Sequence, residues 1–407
     1  MEIQLNLAPG DGQQEFIDQF NAALRRISNG GEGSGGFNRD GSFEACVIGV
    51  YRLGLGIEPR LTWTMRKPPD GTLSTVAVEI DQRKPVQGWE RLAAELVASA
   101  LSATRAVSRS TFFKRASYSY IGPALDGEYW LPGFRLGPAI PNDTEPSSQF
   151  SERWVDIDMN VDAIDATHAE GLAGERARRL AARLSLLLDL GFERPPFEFR
   201  WVMVRGRADS FENRRCQVMF NPSDPHPSAM PEQGALCPLG GFSDDFPMYL
   251  PAGRVRLPKG IGRVLRGVDT RPHPIGAAFD GCAGLYQVGR VAGRQFPSVL
   301  LAYSIAAVDA ITQADRSYDG FKGFMKSHSA RGEDETSPFL NYLWGKVRSA
   351  HFHGGQFPLG EFGPAHSNLF MDPEWVRSNR VRWDGVMAVR GAIIDWCLKK
   401  VAVESDG

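Results

Sequence analysis

The chain has 407 residues, of which 42% are hydrophobic and 23% charged, with a formal net charge of −2. At roughly 100 to 200 residues per domain, this length predicts two or three domains with cores of their own. A near-neutral balance excludes a globally basic nucleic-acid binder, so any contact with nucleic acid must come from a local patch.

Met1 to Pro9 has no basic start followed by an apolar run, so no signal peptide is expected. Residues 13–27 space Phe16, Phe20, Leu24 and Ile27 along one helix face. Asn29 to Gly36 (NGGEGSGG) reads as a flexible loop. It is not read as a phosphate loop, because Gly-x-x-x-x-Gly-Lys-Ser/Thr is missing. Phe43–Tyr51, Glu58–Met65 and Leu73–Ile80 read as strands, with a turn at Lys67–Gly71. Residues 89–107 form an amphipathic helix with Leu92, Leu96 and Leu101 inward. Helix, strands and helix in that order predict an α+β domain over residues 1–150.

Residues 111–135 interleave Phe112, Phe113, Tyr118, Tyr120, Tyr129, Trp130 and Phe134 with Lys114, Arg115 and Arg135. Such a mixture could stack bases and pair phosphates. Half-buried strands with an aromatic core face are the expectation, because aromatics favour strands. Trp154 to Val161 alternates apolar and acidic residues, with Asp156 and Asp158 on one side. Two carboxylates there could hold a divalent metal. No further carboxylate motif follows, so a solvated strand face is expected.

Residues 169–190 form a clear helix whose outer face carries Arg176, Arg178, Arg179 and Arg183. A phosphate-facing stripe is one reading; a solvated surface is preferred. Strands follow at Phe197–Val204 and Gln217–Phe220. Proline and glycine are dense from Asn221 to Gly293, which predicts an irregular connector with short strands. His226, His273, Cys237 and Cys282 fall here at no zinc-ligand spacing and are read as loop residues. The whole of 151–295 is expected to be a mixed α/β region. The five cysteines, these two with Cys46, Cys216 and Cys397, are odd in number and form no Cys-x-x-Cys pair. That argues against a disulfide framework and a zinc ribbon.

The character changes at Phe296. Residues 297–313 are almost wholly apolar, with Pro297 suited to a first helical turn and Leu300, Leu301, Ile305, Val308 and Ile311 covering more than one face. Asp309 stands out there, because a carboxylate in a buried helix is costly unless paired. Residues 318–327 suit a short helix. Residues 337–352 suit another, with Ser337 as cap and Gly354–Gly355 as stop. A last helix over 373–400 is capped by Asp372 and turns Trp375, Val386, Val389, Ile393, Trp396 and Cys397 inward. The fold class is therefore an α+β N-terminal region followed by an all-α bundle over 296–407. No uninterrupted run of about 18 apolar residues occurs, so no membrane span is expected and the cytoplasm is the expected compartment.

The segment Arg348-Ser349-Ala350-His351-Phe352-His353-Gly354 carries the chemistry. It resembles the Arg-x(4–6)-His motif of HEPN ribonuclease domains. The trailing glycine resembles the Apea-like branch of that superfamily. Asp309 matches the acidic residue of the family's first helix, and the resemblance covers residues 296–400. It implies a metal-independent endoribonuclease acting on single-stranded RNA, with no cofactor. It further implies an antiviral or toxin-type effector that dimerises through the helical bundle. Residues 1–295 would then sense a trigger or hold an inhibitor. The alternative is a non-catalytic HEPN module that binds RNA, nucleotide or a partner protein.

These residue types suit such a reaction. RNA carries its own nucleophile, the 2′-hydroxyl. Its attack on the adjacent phosphate needs a base, an acid for the leaving 5′-oxygen, and positive charge on the phosphate. The expected products are a 2′,3′-cyclic phosphate and a 5′-hydroxyl. Histidine titrates near neutrality and arginine presents a charged planar fork. The expected catalytic set is His353 for proton transfer and Arg348 for phosphate charge, with Ser349 and Asp309 as supporting polar groups. His351, three residues past Arg348, is the rival histidine. One histidine per chain cannot easily make both transfers, and a facing second copy supplies another.

Overall fold

A computed structural model describes residues 1–5, 7, 11–38, 42–51, 60–68, 73, 75–80, 88–106, 109–139, 152–194, 198–205, 211–218, 227–247, 253–271, 273–329, 338–362 and 373–403. The chain splits into two compact units, Met1–Phe112 with Val161–Leu172, and Phe113–Asn160 with Ala173–Gly407. The N-terminal region is rich in sheet and the C-terminal half is mostly helical.

The first unit is an antiparallel sheet covered by two helices. Its strands are β1 (Glu2–Gln4), β2 (Ser28–Phe37), β3 (Phe43–Tyr51), β4 (Arg60–Lys67) and β5 (Thr75–Ile80), in the spatial order β1-β5-β4-β3-β2. The helices are α1 (Asp11–Ile27) and α2 (Trp89–Ala106). β4 alternates cleanly, burying Leu61, Trp63 and Met65. The Trp63 ring meets Phe20 and Tyr51 edge-on. On α2 the small residues Ala93, Val97 and Ala100 are the fully buried ones, with Leu96 and Leu101 beside them. The glycine-rich run expected to be a loop is strand β2, paired with β3 from Gly31↔Gly49 to Phe37↔Phe43. Its partner supplies the order: ladder hydrogen bonds need only backbone, and the Phe43 ring packs where a side chain on Gly35 would stand.

The second unit begins on a sheet of β6 (Ser110–Ile121), β7 (Tyr129–Leu131), β8 (Phe134–Pro138) and β9 (Glu152–Ala163), ordered β6-β9-β8-β7. The predicted aromatic strands thus form, and Tyr118, Tyr120, Tyr129 and Phe134 are buried. Asp156 and Asp158 are not on a wet face: both are buried, and guanidinium groups neutralise them. Helix α3 (Ala166–Leu188) and the hairpin β10 (Glu198–Arg205) and β11 (Phe211–Val218) follow, then the short parallel pair β12 (Phe242–Ser243) and β13 (Leu257–Pro258). Arg183, expected on a solvated face of α3, is buried between Asp269 and Asp280.

The expected connector ends early. Residues 261–292 form α4 (Ile261–Thr270) and α5 (His273–Ala292). α5 packs along α6 (Pro297–Ala314), so the expected division near residue 295 does not separate two units. The bundle continues with α7 (Gly320–His328), a π-helical segment Tyr342–Ser349, α8 (Ala350–Gly354), α9 (Pro373–Trp396) and a π-helical end Cys397–Val401. α6 is its centre, with Leu301, Ile305, Val308 and Ile311 fully buried. By length and composition it is the one described helix able to cross a membrane, and 56% of it is buried among its neighbours. On α9, Arg390 is buried and donates to the Leu186 and Leu187 carbonyls at 2.9 and 2.8 Å, closing the C-terminal end of α3. Ser337, Asp372 and His226, and the side chains of His273, Cys216 and Trp375, lie outside the described residues.

Candidate functional site

Asp309 faces the C-terminal part of the π-helical segment from the middle of α6. Arg348 Nη2 donates to Asp309 Oδ2 at 2.9 Å, joining residues 39 apart in sequence. The pair is mostly buried, with side-chain exposures of 24% for Arg348 and 13% for Asp309. Burial pushes the Asp309 carboxyl above the ordinary aspartate range, and the charge and hydrogen bond of Arg348 offset part of that rise. The guanidinium carbon also lies 4.6 Å from the Trp344 ring centroid and 5.8 Å from that of Phe352. Trp344 stacks on Phe321, and Phe352 meets Tyr303 edge-on. Arg348 Nε is buried and has no hydrogen-bond partner among the described residues. The guanidinium is therefore stacked against aromatics and paired with one carboxylate, and its Nε donor is unused among the described residues.

The helix ends just past this pair. Gly355 adopts a left-handed conformation at φ 61°, its N–H bonded to the His351 carbonyl and that of Gln356 to Ala350. His351 Nδ1 lies 3.1 Å from the Gln356 carbonyl oxygen, and its ring packs on Phe352 and Phe357. His353 is exposed and Ser349 is half-buried. The Arg348 guanidinium turns in toward Asp309 and lies near the Phe352 ring, whereas His353 is exposed. Within one chain, the mostly buried Arg348 and the exposed His353 thus stand in different surroundings. An exposed aromatic rim borders His351, with Phe352 at 41% and Phe362 at 72% exposure. Unstacked RNA bases take to such rings.

No family model, curated protein or solved structure matches this chain. Among the described residues, no group of three or more His, Cys, Asp and Glu side chains is arranged to hold a metal ion.

Of the residues singled out in the sequence, Asp309 and Arg348 are brought together, while Ser349, His351 and His353 stand along the adjoining helix end. Two polar clusters went unread. In the β6–β9 sheet, Asp158 accepts from Arg115 at 2.6 and 2.7 Å and from Arg135 at 2.9 Å. Arg135 also donates to Glu128 at 2.7 Å, and Ser117 to Asp156 at 2.7 Å. The alternation showed only that the two aspartates share a side; their burial depends on arginines from other strands. In the bundle, His328 of α7 is buried between Tyr318 Oη at 2.8 Å and Asp395 Oδ2 at 2.7 Å. Burial raises the Asp395 carboxyl, but Lys399 and His328 more than reverse this and hold it below the ordinary range. A histidine at the start of a polar segment gave no signal of that contact.

Proposed function

We propose that residues 296–400 form a HEPN-type domain and that the protein is a metal-independent endoribonuclease of the cytoplasm. The Asp309–Arg348 pair carries this reading. The resemblance couples those two positions, and the fold closes them to 2.9 Å beside two histidines at an open helix end. Arg348 takes the phosphate and His353 moves the proton. Because Arg348 is turned in toward Asp309 while His353 is exposed, the working site is composite. His353 of each copy meets the phosphate held by Arg348 of the other, which makes the dimer the active form. The exposed Phe352 and Phe362 rings are placed to stack unpaired bases, which fits single-stranded RNA.

The test is cleavage of single-stranded RNA in EDTA by wild type, His353→Ala and Arg348→Lys. Lysine keeps the charge beside Asp309 but loses the planar fork. Each variant is expected to lose about 100-fold or more in rate, and the wild-type products are expected to end in 2′,3′-cyclic phosphate. Mixing the two inactive variants restores part of the activity if the site is shared between copies. Cleavage that survives His353→Ala unchanged ends the proposal.

The stacking of Arg348 between Trp344 and Phe352 favours a second reading, a non-catalytic module in which the arginine is a fixed anchor. It predicts RNA binding without cleavage, weakened by Arg348→Lys and indifferent to His353→Ala.

A further inference from the structure

Three arginines of α3 converge on one cavity. Arg176, Arg179 and Arg183 follow at spacings of three and four residues and so share a helix face; Arg178 falls outside that row. With Pro132, Phe134, Leu180, Leu265 and Asp269 they line a space of about 220 Å³. Phe134, Leu180 and Leu265 are buried and make an apolar floor. The arginines differ in how far they are committed. Arg183 is fixed, its Nε and Nη2 bonded to Asp280 at 2.7 and 3.0 Å and its Nη1 to Asp269 at 2.8 Å. Arg176 makes one hydrogen bond among the described residues, to the Gly133 carbonyl at 3.2 Å. Arg179 reaches Glu175 at 3.2 Å with more than half its side chain exposed.

The β7–β8 turn is built to admit this. Pro132 and Gly133 occupy its two central positions, with Gly133 at φ 76°, as a type II turn requires. A Cβ on Gly133 would meet the Arg176 guanidinium, so glycine leaves room for that arginine against the turn at the cavity. Arg183 is spent on Asp269 and Asp280, and Arg179 pairs with Glu175 at the exposed rim, so the donors offered to a ligand over the apolar floor are those of Arg176 and the exposed Arg179. Guanidinium forks match phosphate oxygens, and an apolar floor strengthens that pairing by limiting water.

We propose that this cavity binds a small phosphate monoester, its phosphoryl group on Arg176 and Arg179, and its organic body on Phe134, Leu180 and Leu265. The volume lies below the usual range for drug-sized ligands, which limits the body to about the size of one sugar. The site is separate from the Asp309–Arg348 helix end and stands whether or not that site cleaves RNA.

Titration calorimetry on the full chain at constant ionic strength, with ribose 5-phosphate, inorganic phosphate and ribose as probes, tests it. Ribose 5-phosphate is expected to bind in the micromolar to low millimolar range, inorganic phosphate at least about tenfold more weakly, and ribose not at all. Arg176→Gln and Arg179→Gln, both at partly exposed positions, are each expected to weaken ribose 5-phosphate binding about tenfold or more. Gly133→Ala, which displaces Arg176, is expected to do the same. No heat with ribose 5-phosphate up to about 10 mM, or equal affinity in the glutamine variants, overturns the proposal. Equal affinity for inorganic phosphate and ribose 5-phosphate overturns the monoester assignment.

Discussion

Replacing Arg348 with methionine leaves Asp309 as a buried carboxylate without its cation. Removing one partner of a fully buried pair costs about 3–5 kcal/mol. With 24% and 13% of the two side chains still exposed, about 2–3 kcal/mol is expected here, since water reaches part of the site. Methionine keeps contact with the Trp344 ring, so the lost cation–π attraction adds only about 0.5–1 kcal/mol. The loss depends on pH. The folded state already holds the Asp309 carboxyl above its ordinary value through burial, so folding binds that proton more tightly than the unfolded chain does. A group shifted upward supports the fold fully when protonated, below its unfolded value, and that support is lost as pH rises through the folded value. Without Arg348 the shift grows, and the deficit is therefore largest at neutral pH and shrinks as pH falls through the carboxylate range. Urea unfolding of wild type, Arg348→Met, Asp309→Asn and the double variant at about pH 7 and about pH 5 measures this. The double variant, which removes both charges, should recover at least about 1 kcal/mol relative to the sum of the single losses. A coupling near zero, or a methionine variant whose deficit grows on acidification, refutes the reasoning.

Asp158→Asn withdraws the carboxylate shared by Arg115 and Arg135, whose side chains are 6% and 1% exposed. It should lower the urea-unfolding free energy by about 3 kcal/mol or more, and a loss under about 1 kcal/mol contradicts the network as described. The two glycines of α4 should respond with opposite signs. A methyl on Gly267 runs into the Val401 carbonyl, whereas one on Gly262 meets only Pro132 Cδ at 3.9 Å. Gly267→Ala should therefore lower the melting temperature, with a cost of about 1–3 kcal/mol, and Gly262→Ala should raise it by the helix preference of alanine, about 0.5–1 kcal/mol. Equal responses at the two positions would falsify the close approach of α4 to the chain end.

By itself the sequence determined what local periodicity carries. The spacing of Phe16, Phe20 and Leu24 specified α1, the alternation of Leu61, Trp63 and Met65 specified β4, and the apolar run from Pro297 specified α6. The conflict between Asp309 and its apolar helix was also legible, because a carboxylate there demands a partner, and Arg348 supplies it. Tertiary structure decided the matters in which a residue's state depends on a distant neighbour. Asn29 to Gly36 carries almost no side-chain pattern, so only pairing with β3 makes it a strand. Asp156, Asp158 and Arg183 read as solvated charges, because a charge shows no sign in its own segment of the counter-charge that lets it be buried. Proline and glycine around residues 221–293 masked α4 and α5, whose helices are confirmed by packing on α6 and on the chain end. Sequence fixes local preference through backbone and period; burial, ion pairing and the meeting of side chains far apart in sequence are settled only when the elements pack.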